Sequence, residues 1–164
     1  MDKSSLLTLM VFGTASFGAA ATGVIFRPGD WYKRLDKPPW QPPDWLFAPV
    51  WTALYLMIAL SGWLVWRDSG LAGAAVPLGI YALQLLLNAA WTPIFFGLQR
   101  PGLALVEIVL LWASILATIA LFHPQSATAA WLLVPYLAWV SFASALNFSI
   151  WWRNRLSVAA RGTP

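Results

Sequence analysis

Five long stretches of this chain are almost free of charge, and no other sequence feature limits its fold so severely. They run from Ser5 to Phe26, and from about Leu46 to Trp66, Leu71 to Phe96, Leu103 to Phe122 and Ala127 to Trp152; Glu107 is the one acidic or basic residue inside them. A hydrocarbon core takes about 20 apolar helical residues to cross, and each stretch supplies them. In lipid the backbone must bond to itself, so such a segment closes as a helix. Hydrophobic residues make up 60% of the 164 and charged ones 10%, where a soluble domain holds about a quarter charged. The expected fold is an all-α integral membrane protein, a five-transmembrane-helix bundle. It forms a single domain over residues 1–156, followed by a polar tail at 157–164. The first stretch also reads as a signal peptide, with Lys3 ahead of it and Ala19, Ala20 and Ala21 near its end. Its apolar run exceeds the roughly 7–15 residues of a signal core, which favours a retained span.

The connections agree with this count. Arg27-Pro28-Gly29-Asp30, Arg67-Asp68-Ser69-Gly70, Gln99-Arg100-Pro101-Gly102 and His123-Pro124-Gln125-Ser126 all carry helix-ending residues. Basic residues are unevenly shared between the two sides. Lys3 and Arg67 fall on one side; Arg27, Lys33, Arg34, Lys37, Arg100, Arg153, Arg155 and Arg161 fall on the other. The positive-inside rule makes the second side cytoplasmic and puts the N-terminus outside and the C-terminus inside, for an inner or plasma membrane. The net charge of +4 is thus a lipid-facing property, and no nucleic-acid partner is expected. The absence of cysteine excludes disulfides and thiolate chemistry.

The first loop, residues 27–45, reads RPGDWYKRLDKPPWQPPDW. Its prolines Pro38, Pro39, Pro42 and Pro43 stiffen the backbone. Trp31, Tyr32, Trp40 and Trp45 bring large contact area with few torsions. A rigid flap over a bundle mouth fits this composition; so does an ordinary interfacial aromatic belt. The belt also accounts for Trp63, Trp66, Trp131, Trp151 and Trp152.

It does not account for Trp91, Trp112 and Trp139, deep in their spans, or for Trp51, about a turn and a half into the second. Helical spacing groups these residues with polar neighbours. Trp51 and Tyr55 share one face, as do Asn88, Trp91, Thr92 and Phe95, and as do Trp139, Ala143, Leu146 and Asn147. Amide and indole groups that lipid cannot satisfy turn inward. Aromatic walls with a few amides suit a flat, largely apolar ligand; interhelical packing explains the same spacing equally well. Pro49, Pro77, Pro93 and Pro135 each remove a donor and are candidate kinks. Glu107, about 8 Å in from Gly102 by helical rise, is a functional candidate as an intramembrane carboxylate; the favoured reading pairs it with Arg100 or hydrogen-bonds it to a neighbouring helix. Ala75 and Gly79 form a small-residue pair of the kind found where helices meet closely. No HExxH, GxSxG, P-loop or GxGxxG pattern occurs. With one histidine and no cysteine, no metal site and no tightly bound cofactor are expected.

The stretches WYKRLDKPPWQPPDWLF (31–47), PVWTALY (49–55), LLLNAAWTPIFFG (85–97) and PYLAWVSFASALN (135–147) together resemble the TspO/MBR family. These are the tryptophan-rich sensory proteins related to the mitochondrial translocator protein, or peripheral benzodiazepine receptor, and the chain looks like a bacterial member, which implies a bacterial cell membrane as its location. The resemblance implies a homodimer of five-helix bundles, each with a pocket capped by the first loop. It implies receptor or transport behaviour toward porphyrins, protoporphyrin IX and haem, which bind as ligands. Ligand-binding positions carried over by motif are Tyr32, Pro42, Trp51, Tyr55, Asn88, Trp91, Trp139 and Ala143. Phe148 replaces the tyrosine of the animal sterol-recognition pattern ahead of Arg153, so sterols are expected to bind weakly at most. Two alternatives stand beside binding: light-dependent breakdown of protoporphyrin IX, with Trp51 and Trp139 as the residues at stake, and a dimeric scaffold without a dedicated ligand.

Overall fold

In the computed structural model, residues 3–161 are described, with side chains from 3 to 155. Among the described residues there are seven α-helices, six of which build the five spans. α1 (Lys3–Ile25) is the first. A short α2 (Asp30–Lys33) and a 3₁₀ turn (Asp44–Leu46) lie in the first loop. α3 (Phe47–Gly73) is the second span and α4 (Ala75–Thr92) the third, which continues as a π-helical turn (Pro93–Gly97). α5 (Pro101–Phe122) is the fourth. α6 (Ala127–Leu132) and α7 (Val134–Arg161) together make the fifth. The five-helix expectation is borne out. The tail expected at 157–164 lies outside the residues whose side chains are described, and its first positions continue α7 to Arg161.

The helices close into a ring. α1 packs on α3 and α4, α4 on α5, α5 on α7, and the fifth span returns to α3, mainly through α6. The core runs along the inner faces and includes Ile58, Val65, Leu111, Ile115, Tyr136 and Val140. Large apolar side chains such as Leu7, Val11, Leu56, Leu86 and Val106 point outward, as a lipid-facing surface requires. Polar groups stitch the interior. The Ser61 hydroxyl donates to the Ala129 carbonyl at 2.8 Å, tying α3 to α6. The Trp63 indole donates to the Ser5 carbonyl at 3.1 Å. Trp63 is therefore buried packing between α1 and α3, not the interfacial belt residue its position suggested. Ser69 donates to the Gln125 side chain, joining the end of α3 to the loop between α5 and α6.

Backbone breaks fall where the residues demand them. Gly70 has φ 65° and ψ 176°, a conformation that glycine alone adopts at little cost; the third span therefore starts at Ala75, later than Leu71. A Cβ on Gly62 would lie 2.7 Å from both Phe12 and Tyr81, so glycine there lets α1, α3 and α4 meet closely. The four candidate kink prolines divide into two kinds. Pro49 and Pro77 sit in the first turns of α3 and α4, where no intrahelical donor is lost, and neither interrupts its helix. Pro93 opens the π turn, in which the Leu98 N–H reaches back to the Pro93 carbonyl at 2.8 Å. Pro135 follows the break at Leu133 that separates α6 from α7. Lacking an N–H, it cannot bond the carbonyl four residues back.

Candidate functional site

A cavity of about 570 Å³ opens among α1, α3, the third span and α7 at the first-loop end. Seven of the eight positions singled out in the sequence line it: Tyr32, Trp51, Tyr55, Asn88, Trp91, Trp139 and Ala143. Pro42 does not; from the same loop, Pro28 and Asp44 reach the wall instead. Pro42 lies just past the turn closed by the Gln41 N–H on the Pro38 carbonyl at 3.0 Å, and outside the chamber lining. Sequence spacing missed the contribution of α1, where Phe17, Ala20 and Gly23 form one wall. They lie three residues apart, a periodicity that is hidden because the surrounding helix is apolar all round.

The cavity is built from stacked rings and committed amides. Trp51 stacks on Tyr55 with centroids 5.3 Å apart, one turn along α3, and meets Tyr136 edge-on at 6.2 Å. The Tyr55 hydroxyl donates to Asn88 Oδ1 at 2.6 Å, and Asn88 Nδ2 donates to the Tyr136 hydroxyl at 2.8 Å. One amide so joins three spans, and all three residues are buried. The Trp91 indole donates to Asn147 Oδ1 at 3.1 Å, and Asn147 Nδ2 donates to the Pro101 carbonyl at 2.8 Å. Trp91 also stacks on Phe95, 4.9 Å between centroids. Each amide has thus both ends spoken for, which sets the rings at fixed angles. Trp139 differs: its indole N–H is buried with no hydrogen-bond partner, and its ring rests edge-on to Phe47 at 5.6 Å.

The first loop forms the rim. Tyr32 is buried against Phe95 and Phe96, and the Lys37 ammonium sits 4.0 Å from its ring centroid. Burial pushes the Tyr32 phenol up to about 12; the Asp44 carboxylate adds to the rise and a hydrogen bond with Gln41 opposes it. The phenol stays neutral under all physiological conditions. Further along, Asn154 on α7 grips the loop from both sides. Its Oδ1 accepts from the Asp36 N–H at 3.1 Å, and its Nδ2 donates to the Asp36 carbonyl at 3.0 Å. Arg153 adds an ion pair to Asp36 at 3.5 Å.

Two other intramembrane residues stand apart from the cavity lining. Trp112 donates to the Ser141 hydroxyl at 2.8 Å and ties α5 to α7. Glu107 is buried on α5 with neither carboxyl oxygen hydrogen-bonded. The pairing expected for it is absent: no ion pair with Arg100 occurs among the described residues, because Arg100 precedes the first turn of α5 and Glu107 faces the interior two turns later.

This architecture defines a class, the polytopic five-helix membrane protein with an aromatic chamber under a tethered loop. Comparison with known proteins places it further. The TspO/MBR family model matches residues 6–153. Protein CrtK of Rhodobacter capsulatus is 44% identical over 154 residues, 92% of this chain and 94% of the relative. The translocator protein of Bos taurus is 44% identical over 133 residues, 80% of this chain and 79% of its own. Tryptophan-rich protein TspO of Chlorobaculum tepidum is 43% identical over 156 residues, covering 92% and 97%. The chain belongs to the TspO/MBR family.

Proposed function

We propose that the protein is a membrane receptor or transporter for porphyrins, protoporphyrin IX and haem among them, which it holds in the aromatic chamber. The observation that carries this reading is the convergence of Trp51, Trp91 and Trp139 on one 570 Å³ space, inside the roughly 300–1,000 Å³ range of small-molecule sites. A tetrapyrrole offers two broad π faces to stack on indole rings. Its carboxylates would face the rim, where Lys37 supplies positive charge. The Trp139 N–H is buried and unpaired, and a turn of its ring would present it to a ligand. The experiment is a protoporphyrin IX titration followed by tryptophan quenching. Saturable quenching is expected, weakened at least tenfold by Trp51→Ala with Trp139→Ala; unchanged affinity in the double variant refutes the site.

A second reading, light-dependent oxidation of bound protoporphyrin IX by dioxygen, draws support from the oxidisable rings of Tyr55 and Tyr136, each in contact with Trp51. Replacing Trp51 and Trp139 by phenylalanine keeps the stacking surface but removes both indoles. Photoproduct formation should then fall sharply while binding survives, and undiminished product rules this reading out. The exposed α4 face with Ala75, Val76, Gly79 and Leu83 supports a homodimer. The distribution of basic residues supports a cytoplasmic first loop, and the resemblance to bacterial relatives supports a bacterial cell membrane.

A further inference from the structure

The fifth span is not one straight helix, and its bend leaves a wedge against α3. Near its start, α6 lies tight on α3, held by buried Ala129 and by the bond from Ser61 to its carbonyl. After the break at Leu133, α7 packs mainly on α5 and touches α3 only sparsely. The gap so opened is a second recess on the outer surface, with Val50, Ala53 and Met57 on one side and Pro135, Ala138 and Phe142 on the other. Every residue lining it is apolar. Met57 and Trp139 lie near the middle of their spans, so the recess faces acyl chains.

Trp139 belongs to both spaces: it lines the outer recess and the inner chamber. One indole is therefore the partition between lipid and chamber. Its N–H makes no hydrogen bond, unlike that of Trp63, Trp91 or Trp112. It is held by ring contacts alone, to Phe47 and to Phe142, each with centroids 5.6 Å apart. Turning the ring therefore gives up ring contacts but breaks no hydrogen bond and strands no donor that is now paired. Ala53 and Ala138 leave the outer side of the ring uncluttered.

We propose that the α3–α7 recess is a lateral port, through which flat apolar ligands dissolved in the bilayer reach the chamber when the Trp139 ring swings aside. This rests on the chamber being a ligand site, and the test below does not depend on porphyrin binding. The chain has no cysteine, so Ala143→Cys places a single thiol in the chamber wall. Its labelling by a pyrenyl maleimide dissolved in the liposome membrane reports arrival from lipid; a charged, water-soluble maleimide reports arrival through the loop mouth. Ala53→Trp, or Ala138→Trp should the first not fold, fills the recess from outside. We expect the plug to slow pyrenyl labelling at least tenfold and to leave the water-soluble reagent within twofold. Pyrenyl labelling unchanged by the plug, equal slowing of both reagents, or a thiol beyond the pyrenyl reagent's reach in the unplugged protein each overturns the port. A failed porphyrin titration with the labelling pattern intact would instead overturn the ligand assigned to the chamber.

Discussion

Tyr32 shows how much of a site one side chain can hold. Its ring supports the rim against Phe95 and Phe96 while its phenol is withdrawn from water. The ordinary phenol value is 10.0, and burial raises it to about 12. The sign follows from linkage: below pH 10 both folded and unfolded chains keep the proton and the full stabilisation is present. Between 10 and about 12 the unfolded chain releases it first, so stability falls as pH rises. Thermal unfolding in detergent from pH 9 to 12 should therefore fall less steeply for Tyr32→Phe than for the parent chain; identical slopes would mean the phenol is not buried. At this scale the sequence reported residue types well. It marked Trp51, Asn88 and Trp139 as groups that lipid could not satisfy. It could not report partners: Trp112, like Trp91, is an indole inside a span, yet it bonds Ser141 on the α5–α7 interface and not Asn147.

Among the elements, the first loop and the fifth span decide how the chamber communicates with its surroundings. The loop is not simply stiff; it is pinned at Asp36 by the side chain of Asn154, 118 residues away in sequence. Each hydrogen bond contributes about 0.5–1.5 kcal/mol. Asn154→Ala should thus accelerate protoporphyrin IX release through the mouth by roughly tenfold, measured as recovery of tryptophan emission after dilution. An unchanged release rate would show that the tether does not govern closure. Proline content announced rigidity here and kinks elsewhere, but position within a helix sorted the kinks. Pro49 and Pro77 fall where the N–H is free, whereas Pro93 and Pro135 fall beside real interruptions. That distinction follows from helix starts, and helix starts shifted by several residues between sequence pattern and structure, as at Ala75.

For the whole molecule, an odd number of spans places the termini on opposite sides. The exposed His123 lies in the loop between α5 and α6, and Leu98 in the loop between the third and fourth spans, on the other side. In intact cells a membrane-impermeant maleimide should label His123→Cys and spare Leu98→Cys until the cells are permeabilised. The reverse pattern would invert the proposed orientation. The number of spans, the inward faces of α3, α4 and α7, and the family were all legible in one dimension. The reason is that a bilayer imposes a fixed length and a fixed penalty on every stranded polar group, and both are written locally along the chain. The ring order of the helices, the wall supplied by α1, the isolation of Glu107 and the wedge closed only by Trp139 were not. They depend on which helix stands beside which, and in a lipid-soluble bundle that choice is made by close packing of side chains distant in sequence, such as Phe12 and Tyr81 around Gly62.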